Sequence, residues 1–367
     1  MAGAGASTTA KTAGRPAGSR RTYALLLLAG GAVLLAVSPT IGPVPIPASA
    51  VASILAHGPG PVGSTGACGA ATVDLARCQI WAEIVWQARL PAMFLALAAG
   101  AILGLSGAAL QGTFRNPLAD PYLLGLSTGA AMGAALLFVF NIGTAEAAVF
   151  LPAFAFLGGL IPGVVIFTVG RTARRSAETL VLTGVALGAL FSSLLATFLL
   201  YNPLGDIQVS FWLLGGMSDA SWLRDALLLG VVLAIGGTVS LLGRELNLLQ
   251  LGEDVAQSVG VPVQRVTLLL VLLTTVGTAA AVAFTGVIGF VGLVSPHIVR
   301  RVVGPDYRRV VPLAGLVGAG FLLLAWDIAQ SALPPLVLPV GIPTSFVGAP
   351  FFLYLLYRRR AAAGGAG

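Results

Sequence analysis

The sequence predicts an all-α polytopic membrane protein of about ten transmembrane helices, and three observations carry that class. Apolar runs of about 18 residues or more, the length that crosses a hydrocarbon core as a helix, recur along the 367-residue chain. Hydrophobic residues make up 57% of it and charged residues only 9%, where a soluble domain carries roughly a quarter. The mean hydropathy is +0.95. The third observation is where the basic residues lie. With the N-terminus inside and the spans alternating, only Arg77, Arg89 and Arg224 of the 20 Lys and Arg fall outside. The pI near 10.1 therefore reports the positive-inside bias, with some attraction to anionic lipid, and not nucleic-acid binding.

Residues 1–22, rich in Ala, Gly, Ser and Thr with Lys11, Arg15, Arg20 and Arg21, read as a disordered basic cytoplasmic tail. The first run, about 23–43, precedes Ala48-Ser49-Ala50 and so imitates a cleavable signal. Its apolar part exceeds the usual signal core of about 7–15 residues, which favours an uncleaved span. Further segments follow at about 91–112, 123–142, 147–170, 180–201, 223–243, 266–284, 286–303, 310–330 and 345–357. Those at 286–303 and 345–357 are short, and Pro296 interrupts the first of them. All ten form one permease domain, 23–360, followed by a disordered tail, 361–367.

The long outer loop, 44–88, contains Cys68 and Cys78. In an oxidising compartment they pair or remain two free thiols, and spacing alone does not decide. At its end, "QIWAEIVWQARLP" (79–91) places Ile80, Trp81, Ile84 and Val85 on one helical face and Gln79, Glu83 and Gln87 on the other. Two readings stay open: an amphipathic helix along the outer membrane surface, or a loop ending in interfacial tryptophans. Small residues four apart, at Gly100/Gly104, Gly125/Gly129/Gly133 and Gly184/Gly188, indicate closely packed helices. The stretches 113–125 and 338–352 carry prolines that break helix; in the first, Arg115 and Asp120 satisfy exposed backbone or pair with each other.

Chemistry of the chain's own is missing. The one lysine, Lys11, sits in "TAKTAG", so a Walker A loop is impossible. His57 and His297 lie on opposite sides, which leaves no metal cluster and no Ser–His–Asp triad. Asp327, near the outer end of its helix, is a polar helix end or, as the less favoured reading, a proton relay. The chain thus reads as neither an enzyme nor a self-powered carrier, with no catalytic residue, no metal site and no bound cofactor.

One stretch stands apart. "GEDVAQSVG" (252–260) is short and acidic, and lies on the inner side between two spans, within a segment 244–264. Gly252 and Gly260 bracket one to two helical turns; Glu253 and Asp254 sit in the first turn, where carboxylates suit the helix dipole. Val255 and Val259 share a face, with Ala256 beside them. The stretch is a knob for a partner's groove or a capped helix lying on the bilayer.

"ARLPAMFLALAAGAILGLSGAALQGTFRNPLADPYLLGLSTGA" (88–130) closely resembles the iron-chelate/cobalamin permease family of bacterial ABC importers. So do 182–195, 246–261, 284–309 and 338–356, in order, so that the likeness runs from Arg89 to Leu356. It implies a ten-helix bundle in the bacterial plasma membrane with both termini cytoplasmic. It also implies a homodimeric pathway, two cytoplasmic ATPase subunits that hold ATP–Mg, and an extracytoplasmic binding protein. Within it, Gly252–Gly260 matches the coupling helix that enters the ATPase. The span with Thr183, Gly184, Gly188, Ser192 and Ser193 lines the pathway, and the gate lies near Ser176–Thr179. Ala177 and Glu178 depart from the small hydroxylic pattern expected there. Arg89 matches an arginine that docks the binding protein, but Ala92 and Ser331 stand where further arginines are usual, leaving Arg77 or Arg224 as substitutes. The cargo implied is a ferric siderophore, with cobalamin or haem as alternatives. A stand-alone secondary carrier is the reading from a different class.

Overall fold

The computed structural model describes residues 17–59, 68, 74–139, 144–172, 177–201 and 209–364. They form α1 (Ala17–Val37), α2 (Ala48–His57), α3 (Leu75–Glu83), α4 (Leu90–Thr113), α5 (Leu126–Val139), α6 (Thr144–Thr172) and α7 (Ala177–Tyr201). The second half adds α8 (Trp222–Leu241), α9 (Gly243–Leu249), α10 (Glu253–Ser258), α11 (Val263–Thr285), α12 (Val291–Val303), α13 (Tyr307–Ser331) and α14 (Gly341–Gly364). Among the described residues six helices are long and apolar enough to cross a membrane: Leu75–Thr113, Phe150–Arg171, Thr179–Tyr201, Trp222–Leu241, Val263–Thr285 and Tyr307–Ser331. Shorter apolar helices at Leu25–Thr40, Leu126–Leu137 and Gly341–Leu355, together with α12, complete the ten expected from the sequence.

The central rod is α4, whose most apolar window is 83% buried. Its small residues set the packing. An added Cβ at Gly100 would lie on the Gly318 carbonyl of α13, one at Gly104 on that of Ala314, and one at Gly107 on that of Gly292 in α12. Backbones this close gain dispersion along the whole crossing, which is what drives helix association where no water is present to be expelled. Gly129 and Gly158 join α5 to α6 in the same way.

Several expectations change. The stretch 79–91 is not a separate surface helix. Helix α3 runs through a π-turn, Ile84–Arg89, directly into α4, so Trp81 and Val85 are buried while Glu83 and Gln87 face out. Helix α2, Ala48–His57, occupies part of what reads as loop, and burial of Ala50, Val51 and Ile54 explains it. The break at 338–352 is narrower: α14 begins at Gly341, and Gly341 N–H donates to the Leu214 carbonyl (3.0 Å). Arg115 and Asp120 do not pair, because Asp120 Oδ1 accepts the Tyr122 N–H (2.9 Å) and Arg115 lies 3.8 Å from Glu253. Helices α1 and α14 also reach Ala17 and Gly364, inside the expected tails; residues 1–16 and 365–367 lie outside the described residues.

Cys68 and Cys78 form a disulfide, with Cα atoms 5.9 Å apart. Arg89 is not presented outward as docking would require. It is 6% exposed; Nη1 donates to the Pro39 carbonyl (2.9 Å) and Nη2 to that of Val44. The guanidinium thus clamps the turn after α1, and Gly42 is where it fits, since an added Cβ there would meet Arg89 Nε at 2.8 Å. A hydrogen bond to a charged donor contributes about 1.5–3 kcal/mol, so Arg89→Ala should lower stability by about 3 kcal/mol. A thermal melt in detergent checks this, and an unchanged midpoint would contradict the clamp.

Candidate functional site

Helices α9 and α10 form a platform at the arginine-rich end of the bundle. Helix α9 follows α8 through the single residue Leu242, and Gly243 is required because the Arg308 backbone lies against it (added Cβ to Cα, 2.8 Å). Leu246 and Leu249 are buried. Polar side chains then fix the platform to both neighbours. Asn247 Nδ2 donates to Asp306 Oδ1 (2.7 Å), and its Oδ1 accepts the Tyr307 N–H (2.8 Å) at the start of α13. Gln250 Nε2 donates to the Gly112 carbonyl (2.6 Å) at the end of α4, which also accepts the Arg115 N–H (3.3 Å). The Asn247 amide, aided by the Arg308 N–H, holds the Asp306 carboxyl below its usual range.

From that base the chain turns out and back. Gly252 (φ +112°) and Gly260 (φ +87°) take backbone conformations that L side chains rarely adopt, and they set the two ends of α10. Ala256 alone of the six helical residues is buried, with its carbonyl accepting the Val261 N–H (3.0 Å). Glu253 and Asp254 face solvent in the first turn. Val255 is 46% exposed and Val259 58%, and Leu251, four residues earlier, is 63% exposed. Val255, together with Val259 at the helix C-cap, gives this short, acid-tipped helix an exposed apolar edge on a rigid base, and Leu251 is exposed in the turn that leads into it. The Arg115–Glu253 pair, half-exposed at 3.8 Å, adds little.

The expected pathway residues divide. Gly184 and Gly188 face the bundle, where an added Cβ at Gly125 would meet Gly184 O at 2.9 Å and Gly188 N at 3.1 Å. Ser192 and Ser193 lie on the open side of α7, beside Leu190 (54% exposed) and Leu194 (46%). Thr183 is half-buried, and its hydroxyl donates to the Thr179 carbonyl (2.8 Å) while Ser193 donates to that of Ala189 (3.0 Å). Such bonds inside one helix hide hydroxyls from the apolar surroundings. Ser176 and the Glu178 side chain lie outside the described residues. Asp327 is 3% exposed and accepts a hydrogen bond from Ser38 Oγ (2.9 Å), as a polar helix end does.

Sequence reasoning missed Leu251, Asn247 and Gln250. Leu251 stands outside the helix, before the Gly252 turn, so helical spacing from Val255 does not point to it. The other two act across the fold, on Asp306 and Gly112, which no local spacing reveals.

The FecCD transport family matches residues 26–358. The chain belongs to that family. It is 42% identical over 287 residues to the cobalamin import system permease protein BtuC of Halobacterium salinarum, covering 76% of this chain and 75% of that one. The hemin transport system permease protein HmuU of Yersinia pestis is 39% identical over 289 residues, with 78% and 85% covered. Among solved structures, an inward-facing metal-chelate type ABC transporter superposes with a TM-score of 0.73 at 28% identity, covering 92% of this chain and all of that one.

Proposed function

We propose that this FecCD-family chain is the membrane-spanning permease of an ATP-driven importer for a metal chelate. A ferric siderophore is the leading cargo, and cobalamin and haem are the alternatives. The observation that carries the reading is the exposed apolar surface of Val255 and Val259, with Leu251 exposed just before them, on a short helix whose base is fixed to α4 and α13. Such a surface on a polar platform suits a groove on another protein. A partner ATPase that holds ATP–Mg supplies the work the chain cannot do. Two such subunits seat under two copies of this chain, and an extracytoplasmic binding protein delivers the chelate.

On this reading the arginine-rich end faces the cytoplasm, in keeping with the positive-inside bias. The open side of α7, whose most apolar window is only 17% buried, faces a second copy, and the pathway runs between the two. Closure of the ATPase pair pushes α10; Asn247 and Gln250 carry that displacement to α13 and α4. Small, apolar and self-satisfied hydroxyl residues on α7 give a large ligand a smooth wall with little discrimination, so selection rests with the binding protein.

Uptake of labelled ferric siderophore, cobalamin and haem, compared in a strain lacking the gene and in its complemented counterpart, tests the cargo. Loss of siderophore uptake alone, restored by the gene, is the expected result. Loss of cobalamin or haem uptake alone keeps the mechanism and changes the cargo; no change in any of the three overturns the proposal.

A further inference from the structure

Polar contacts fix the C-terminal end of helix α1. Ser38 Oγ bonds Asp327, and Arg89 grips the carbonyls of Pro39 and Val44, all beyond its C-terminal end. Toward its N-terminal half the helix stands away from the bundle: Leu25, Leu26 and Leu28 are each more than 60% exposed. The wedge left against α12 and α13 is a groove of about 660 Å³. That lies within the roughly 300–1,000 Å³ of ligand-binding pockets. Its walls include Gly31 and Leu34 of α1, Val302 of α12, and Leu313, Gly320 and Leu324 of α13.

Two features say what occupies it. Gly30, Gly31 and Gly320 border the groove, and an added Cβ at any of them meets no atom within 4 Å. These glycines do not serve helix contact, unlike Gly100 or Gly107; they widen a space. The walls are apolar from Leu26 to Leu324, so the occupant is a hydrocarbon at membrane depth. The groove also has a charged end. Arg309 lies one turn before Leu313 on the stripe that continues through Leu316 and Gly320, and its side chain is exposed. Asp306, at the start of that helix, attracts Arg308 and Arg309 but also accepts hydrogen bonds from Asn247 and the Arg308 N–H. It is thus shared among several donors, which leaves the exposed Arg309 able to meet a further anion. An apolar slot with a cation at the headgroup level matches an acyl chain joined to a phosphate.

We infer that this groove is a binding site for one acyl chain of an anionic phospholipid from the leaflet on the arginine-rich side, with Arg309 meeting the phosphate. A lipid is favoured over a second copy of the chain. Helix α1 packs on α12 and α13, whereas the open α7 packs on α5 and α6 at the other side of the α4 rod. The lipid wedges α1 against the bundle along the face where Leu25, Leu26 and Leu28 stand exposed. The inference rests on the membrane fold and not on the cargo.

The test is photo-crosslinking of the purified protein in nanodiscs with phosphatidylglycerol that carries a diazirine in its acyl chain, with labelled peptides mapped by mass spectrometry. The exposed leucines of α8, Leu223, Leu227 and Leu233, serve as the internal reference for bulk lipid. Label should concentrate on Leu26–Val37 and Leu313–Leu324 relative to α8. Gly320→Phe, whose Cβ meets no atom within 4 Å and whose ring projects into the slot, should bring the groove down to the α8 level. Arg309→Gln should lower the preference for phosphatidylglycerol over a matched phosphatidylcholine probe about fivefold, the equivalent of one surface cation. Groove labelling no denser than α8, labelling unchanged by Gly320→Phe, or equal labelling by both headgroups in the unmodified protein would overturn the inference. So would a co-purifying single-span polypeptide cross-linked to α1 in place of lipid.

Discussion

Val255→Asp and Leu251→Asp should each weaken association with the partner ATPase by an order of magnitude or more while leaving the permease folded. Both side chains are about half-exposed or more, 46% and 63%, so a carboxylate there meets water in the free chain and costs the fold little. On the proposed docking the same position is covered in the complex. Burying an apolar side chain of this size contributes about 1–2 kcal/mol, and an unpaired carboxylate adds a desolvation cost of several kcal/mol. Since about 1.4 kcal/mol is tenfold, the expected loss exceeds tenfold for either variant. Co-purification on a tagged ATPase, with the melting midpoint measured in parallel, is the check. Gly260→Pro acts differently: φ +87° is closed to proline, so platform and association fall together. ATPase binding unaltered by both aspartate variants would place the docking surface elsewhere.

Gly100→Leu should unfold the bundle or nearly so. The added side chain meets the Gly318 backbone, not a rotatable group, so α4 and α13 must separate along their whole crossing. Overpacking typically costs about 1–3 kcal/mol where neighbours can shift, and here the neighbour is a main chain. Gly237→Leu on α8 is the matched control, with nothing within 4 Å of its added Cβ. It should leave the chain as stable as before, or slightly more so through better helix propensity. Fluorescence-detected size exclusion after a heat challenge distinguishes the two. Equal survival would mean that close glycine packing does not hold this bundle together.

Much of this was legible from residues alone. Runs of apolar sequence located every span, because in lipid the backbone has no alternative to helix. The arginines marked one end of the bundle, and Gly252, Val255, Val259 and Gly260 marked the short helix between spans. What stayed hidden depends on contacts far apart in the chain. Arg89 reads as an outward charge until Pro39 and Val44 come into reach, 50 and 45 residues away. The four-residue spacing of Gly184 and Gly188 reads as close packing, but that Gly125 is what packs there is not in the spacing. Helix α2 carries no long apolar run, so only its burial reveals it. The groove beside α1 is a space, and no sequence pattern announces a space.

The central claim is that transport through this chain is driven by ATP on a separate subunit. The direct measurement is uptake of a labelled ferric chelate into proteoliposomes that contain this chain, its ATPase and its loaded binding protein, with and without ATP on the ATPase side. The account predicts uptake only with ATP and only when the ATPase is present. It also predicts that Val255→Asp abolishes uptake although the chain still inserts. Uptake by the chain alone, driven by an ion gradient without ATP, would contradict it and make the protein a secondary carrier.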